Sequence, residues 1–136
     1  MKDETKDNLL FEELSINAWP ALQTIIYDGW VVRFADAYAN RGNSVSPLYP
    51  SKAGLEEKLL YCTRLFTSQN IPPSYKLTNM DVHREIDGKL EKMGYKKINE
   101  TSLQVCNIPA DLRQGGGQVQ AEASSASIII KDEFYE

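Results

Sequence analysis

The sequence predicts an α+β protein, a three-layer arrangement in which a mixed, mainly antiparallel sheet is flanked by helices. One signal is the dipeptide Asp28-Gly29, because a type I′ turn needs positive φ at both central positions and these residues tolerate it at least cost. Its flanks, Gln23 to Tyr27 and Trp30 to Ala35, are rich in β-branched and aromatic residues. Trp30, Val32 and Phe34 fall on one face of the second flank, and Val31, Arg33 and Ala35 on the other. The second signal is a pair of apolar stripes at helical spacing: Leu55, Leu59, Cys62 and Phe66, then Val82, Ile86, Leu90 and Met93.

Taken in order, residues 1–8 read as a solvated, flexible tail, and Asn8 as the cap of a helix carrying Leu10, Leu14, Ile16 and Ala18, ended near Trp19 by Pro20. The meander follows, DGWVVRFADAYANRGNSVSPL from Asp28 to Leu48 forming its curved hairpin. Pro47, Pro50 and Gly54 mark a turn, and a helix runs from Leu55 to about Ser68 with Glu56 and Glu57 in the first turn, where the macrodipole favours acids. Ile71-Pro72-Pro73 forbids helix and leads into a short strand at Tyr75 to Leu77. Thr78 and Asp81 have capping-box spacing for the third helix, which Gly94 stops at a C′ position. Tyr95 to Ile108 and Ser127 to Phe134 are the last strands. Between them, residues 109–126 are polar, glycine-rich and longer than a compact domain usually permits, and are expected to be mobile.

A chain of 136 residues suits one domain, here residues 9–136, and has no room for a second complete one. Its net charge of −4 and the lack of a basic cluster argue against nucleic acid or an anionic membrane as partner. The polar N-terminus MKDETKDN has no apolar h-region, so a cytoplasmic location is expected. Cys62 and Cys106 read as buried thiols, and with the single His83 they make no zinc site. His83, beside Arg84 and Glu85, reads as an exposed histidine rather than a base. Trp19 and Trp30 read as packing residues, and Arg33 as a charge paired within the fold.

From Phe11 to Phe134 the chain resembles the GNAT N-acetyltransferase family. The segment LEKMGYKKI, Leu90 to Ile98, is similar to the helix end and following strand of that superfamily. FEELSINAWPALQTIIYDGWVVRFADAYANRGNSVSPLYP resembles the start of the N-terminal half of bacterial tandem GNAT proteins, where an Arg-x-Asn-Ser-Val strand meets a Pro-Leu turn. The resemblance implies the GNAT acyl-CoA N-acyltransferase fold, acetyl-CoA as cofactor and a small-molecule or peptide amine as acceptor. It also implies a second GNAT-like half or a homodimer as partner. In such enzymes the amine attacks the thioester carbonyl and CoA leaves as the thiol.

The family pattern is departed from at its catalytic positions. GNAT enzymes hold the cofactor pyrophosphate on backbone N–H groups of an Arg/Gln-x-x-Gly-x-Gly/Ala loop opening a helix. Here that slot reads LYPSKAGL, with Gly54 alone and no leading arginine, while RQGGGQ at Arg113 to Gln118 is misplaced. Leu90 stands where a tyrosine often serves as general acid, and no carboxylate lies between Arg41 and Ser46 to act as base. The catalytic residues are therefore not assigned; Tyr38, Tyr49 and Tyr61 are candidate substitute acids. Arg41, Asn43 and Ser44 are the candidate substrate-binding residues, set where strands splay; the alternative is that they face solvent or satisfy a bulge. The expected function is an acetyltransferase half with a degenerate cofactor site, and the alternative a non-catalytic ligand-binding or dimerisation module of the same fold. The final strand, with Ile128, Ile129 and Ile130, is expected to leave an edge or face that needs cover.

Overall fold

The computed structural model describes residues 4–36, 42–104, 108–109 and 130–135, of which 4–5 and 130–135 are described by their backbone alone. The element order is α1 (Glu4–Ala18), β1 (Gln23–Tyr27), β2 (Trp30–Phe34), β3 (Val45–Pro47), α2 (Leu55–Ser68), β4 (Tyr75–Leu77), α3 (Asp81–Lys92), β5 (Lys97–Leu103) and β6 (Ile130–Tyr135). The strands form one six-stranded mixed sheet in the order β1-β2-β3-β4-β6-β5, so the protein is α+β. Neighbours are antiparallel except β3 and β4, which run parallel and pair at Val45 and Tyr75.

The hairpin forms as its turn residues require. Asp28 and Gly29 take φ of 43° and 82°, and Tyr27 faces Trp30 across them. The two faces of β2 then go to different layers. Trp30, Val32 and Phe34 join Val45, Leu59, Cys62, Phe66, Tyr75, Leu77, Ile86 and Leu90 in one core between the sheet and α2 and α3. Phe34 packs on Phe66 with ring centroids 4.8 Å apart, and Tyr75 sits edge-on to both Trp30 and Tyr95. Arg33, on the opposite face, is buried and donates from Nη2 to the Ile16 carbonyl of α1. Burial pushes the Cys62 thiol up to about 12, which removes it as a nucleophile; Cys106 lies outside the described residues.

Several expectations are corrected. The first helix starts at Glu4, so Asn8 lies within it, and its side-chain amide donates to Asn79 instead of capping. Leu10 and Leu14 are about half exposed, because the helix turns Asn8 and Glu12 inward, where Glu12 meets Lys76 at 3.1 Å. Trp19 is likewise exposed, while Trp30 is core. The third helix begins after Met80 with no side-chain cap, so Thr78 and Asp81 form no capping box. Its inward residues are His83, Ile86 and Leu90, whereas Val82 and Met93 are exposed. Gly94 does stop it, with φ of 90°. The fifth strand spans Lys97–Leu103, shorter at both ends than expected. The last strand is no edge: β6 lies between β4 and β5 and pairs with both. Ile128, Ile129 and nearly all of the loop expected at 109–126 lie outside the described residues.

Leu90 is completely buried beneath the sheet. Leu90→Tyr is expected to lower stability by about 1 to 3 kcal/mol in a denaturant melt, since a larger side chain must enter a filled core.

Candidate functional site

A dense polar constellation gathers at the hairpin turn. Positive φ at Asp28 aims its carboxylate at the loop between β3 and α2. There Oδ1 and Oδ2 each accept the Lys52 N–H at 3.0 Å, and Oδ2 also accepts the Ala53 N–H at 2.9 Å. Ser51 Oγ donates to the Asp28 carbonyl at 3.0 Å, and the Tyr49 N–H donates to the Gly29 carbonyl at 2.9 Å. A Cβ at Gly29 would come within 2.6 Å of the Tyr49 and Pro50 carbonyl oxygens, so glycine is required there by space as well as by φ.

Lys58 closes this knot from α2. Its side chain is 1% exposed, and its ammonium lies 3.3 Å from Asp28 Oδ2, donates to the Asp28 carbonyl and to Ser51 Oγ, and rests 4.3 Å from the centroid of the Trp30 ring. The backbone N–H groups of Ala53 and Lys52, and then Lys58, hold the Asp28 carboxyl below the usual carboxylate range; desolvation lowers the Lys58 ammonium, opposed by Asp28. Lys58 falls at i+3 from Leu55 and i−4 from Cys62, so helical spacing alone places it on the inward face. That periodicity was the available sign of it.

Against this knot lies a pocket of about 560 Å³ between the β3–α2 loop and the first turns of α2 and α3. Trp30, Leu48, Leu55, Met80 and Ile86 make much of its wall, with Lys58, Glu85 and Tyr49 as its ionisable residues. The volume is within the range of small-molecule sites. On the α1 face, a smaller cavity of about 190 Å³ is lined by Arg33, Lys76, Ser46 and Trp19 among others.

His83 is not exposed as expected but 2% accessible, and it bridges the parallel strands. Nδ1 accepts the Thr78 N–H at 2.8 Å, just past β4, and Nε2 donates to the carbonyl of Pro47, the last residue of β3. An Nδ1 that accepts from a backbone N–H carries no proton, so the ring is the neutral Nε2–H tautomer. No sequence pattern marks this role, since the ring's partners are backbone groups at the ends of β3 and β4.

The sequence-predicted substrate residues divide. Arg41 lies outside the described residues. Asn43 is buried; its Oδ1 accepts the Ala35 N–H at 2.8 Å and its Nδ2 donates to the Ala35 carbonyl at 3.4 Å, extending the β2–β3 ladder with a side chain. Ser44 is buried, and its carbonyl accepts the Arg33 N–H. Neither Asn43 nor Ser44 lines either cavity. Of the tyrosines, Tyr49 donates to Glu13 Oε1 at 2.5 Å, a bond that raises its pKa and keeps its proton in place. Tyr61 stacks on Tyr27, and Tyr38 lies outside the described residues. Among the described residues no group of His, Cys, Asp and Glu could hold a metal ion, and no helix is long and apolar enough to cross a membrane.

No protein-family model, curated protein or solved structure matches this chain.

Because its pKa is depressed in the folded state, Asp28 contributes stability above the unfolded carboxylate pKa and loses it as pH falls through the folded value. Asp28→Asn should therefore lower stability at neutral pH and flatten the acid limb of stability against pH. Urea melts between neutral and acidic pH check both, and an acid limb unchanged in the variant would assign the dependence elsewhere.

Proposed function

We propose that this chain is a GNAT-fold domain acting as one half of an acetyl-CoA-dependent N-acetyltransferase, its own cofactor slot filled from within. Transfer to a small-molecule or peptide amine then belongs to a second GNAT-like unit. The fold part of this reading is supported by the element order, a three-strand antiparallel meander and a parallel β3–β4 junction followed by α3. The observation that carries the functional part is the Asp28 carboxylate on the Lys52 and Ala53 N–H groups.

In a GNAT enzyme the loop before the helix corresponding to α2 presents such donors to pyrophosphate. Here they already hold an anion, Pro50 supplies no N–H, and His83 links Pro47 to Thr78 at the place where the strands part. Leu90, buried and without a dissociable proton, stands where a general acid would. The residues present do not fit the cofactor, so no transfer step is derived through it on this chain. The second reading, a ligand-binding module of the same fold, is favoured by the apolar pocket of about 560 Å³.

Titration calorimetry with acetyl-CoA tests the filled slot. The expected result is weak binding or none. A micromolar dissociation constant, equivalent to about −8 kcal/mol, would require an open cofactor site and overturn the reading.

A further inference from the structure

The two edges of the sheet are built differently. The β5 edge carries Lys97 and Glu100 and a register shift between Lys97 and Asn99, features that discourage further strand addition. The β1 edge, Gln-Thr-Ile-Ile-Tyr, has no charge, no proline and no bulge. It is also apolar on its surface: Leu22 is 75% exposed and Ile26 73%.

The hairpin register determines which backbone groups that edge offers. In a two-residue hairpin the residues flanking the turn form a hydrogen-bonded pair and the pattern alternates from there. Tyr27–Trp30, Ile25–Val32 and Gln23–Phe34 are therefore the bonded pairs, and Thr24 and Ile26 turn their N–H and C=O groups away from β2. The opposite pole of the same alternation is seen at Arg33, the partner of Thr24, whose N–H reaches outward to Ser44 of the next segment. Among the described residues the outward groups of Thr24 and Ile26 have no partner, since β1 is the first strand of the sheet.

We infer that the β1 edge is a homodimer interface, in which β1 of a second copy adds antiparallel about a two-fold axis at Ile25. The occupant follows from self-complementarity. In this register Thr24 faces Ile26 of the other copy twice, so each copy's outward pair supplies the two donors and two acceptors that the other lacks. Ile25 packs on its own symmetry mate. The strand has no charge to repel its copy, and exposed Ile26 is covered beside Thr24 on the α1 face. The two sheets join into one. This inference goes beyond the acetyltransferase reading and rests only on the β1 edge, so a failed acetyl-CoA titration leaves it standing.

Sedimentation equilibrium of the whole chain over micromolar to millimolar concentrations tests it, with amide exchange as the local readout. The expected result is a monomer–dimer equilibrium in which exchange at Thr24 and Ile26 slows as concentration rises. Thr24→Pro removes one outward N–H per copy and leaves the β1–β2 ladder intact, and Ile26→Lys sets charge against the facing strand. Each should raise the dimer dissociation constant tenfold or more, about 1.4 kcal/mol, while Ile98→Lys on β5 leaves it unchanged. Ile26→Lys decides alone if the proline variant does not fold. A monomer through the millimolar range overturns the inference, as does a dimer indifferent to Ile26→Lys or equally weakened by Ile98→Lys.

Discussion

The ion pair and hydrogen-bond cluster of Asp28 and Lys58 holds three elements in one place. The carboxylate reaches the loop after β3, the ammonium comes from α2, and both stand on the β1–β2 turn. A nearly inaccessible ammonium is costly to bury unless its donors are used and its charge is matched, and here Asp28, Ser51 and the Trp30 face supply those needs. The arrangement fixes the entry angle of α2 and so the depth at which Leu59, Cys62 and Phe66 meet the sheet. It also supplies the anion that a helix N-terminus and its preceding loop attract.

Polar bridges of the same kind recur wherever an element must be placed against a strand end. Glu12 and Lys76 tie α1 to β4, Asn8 reaches Asn79, and His83 ties α3 to the ends of β3 and β4. Each bridge is buried at one partner or both, where an unmet polar group would be expensive. The apolar core supplies the bulk of the driving force between sheet and helices, while these contacts discriminate among helix positions that would bury similar apolar area.

The legibility of the fold follows the same division. The ranges of α2 and β4 agree with the sequence reading residue for residue, because an apolar stripe, acids in the first turn and the Ile71-Pro72-Pro73 break all act locally. The Asp28-Gly29 turn was equally plain, since its chemistry demands positive φ. For α1 the pattern misleads: Leu10 and Leu14 have the spacing of a core stripe, yet the inward positions go to Asn8 and Glu12, whose partners lie more than sixty residues away. His83 was misread for a different reason: its partners, the Thr78 N–H and the Pro47 carbonyl, are backbone groups that leave no side-chain pattern in the sequence. Of the candidate site, the scarcity of glycine in LYPSKAGL was visible, but nothing local revealed that the turn aspartate would accept the Lys52 and Ala53 N–H groups.

The insertion of β6 between β4 and β5 has a consequence for how the protein is made. As the chain leaves the ribosome, β1, β2 and β3 can assemble from contacts between near neighbours, since they pair in sequence. β4 and β5 cannot meet each other at all; each must wait with an unsatisfied side until residues 130–135 are synthesised and slide in between. The nascent protein therefore carries open strand margins through the translation of the intervening segment. That interval, rather than the finished fold, is when its strand edges are open to wrong pairing.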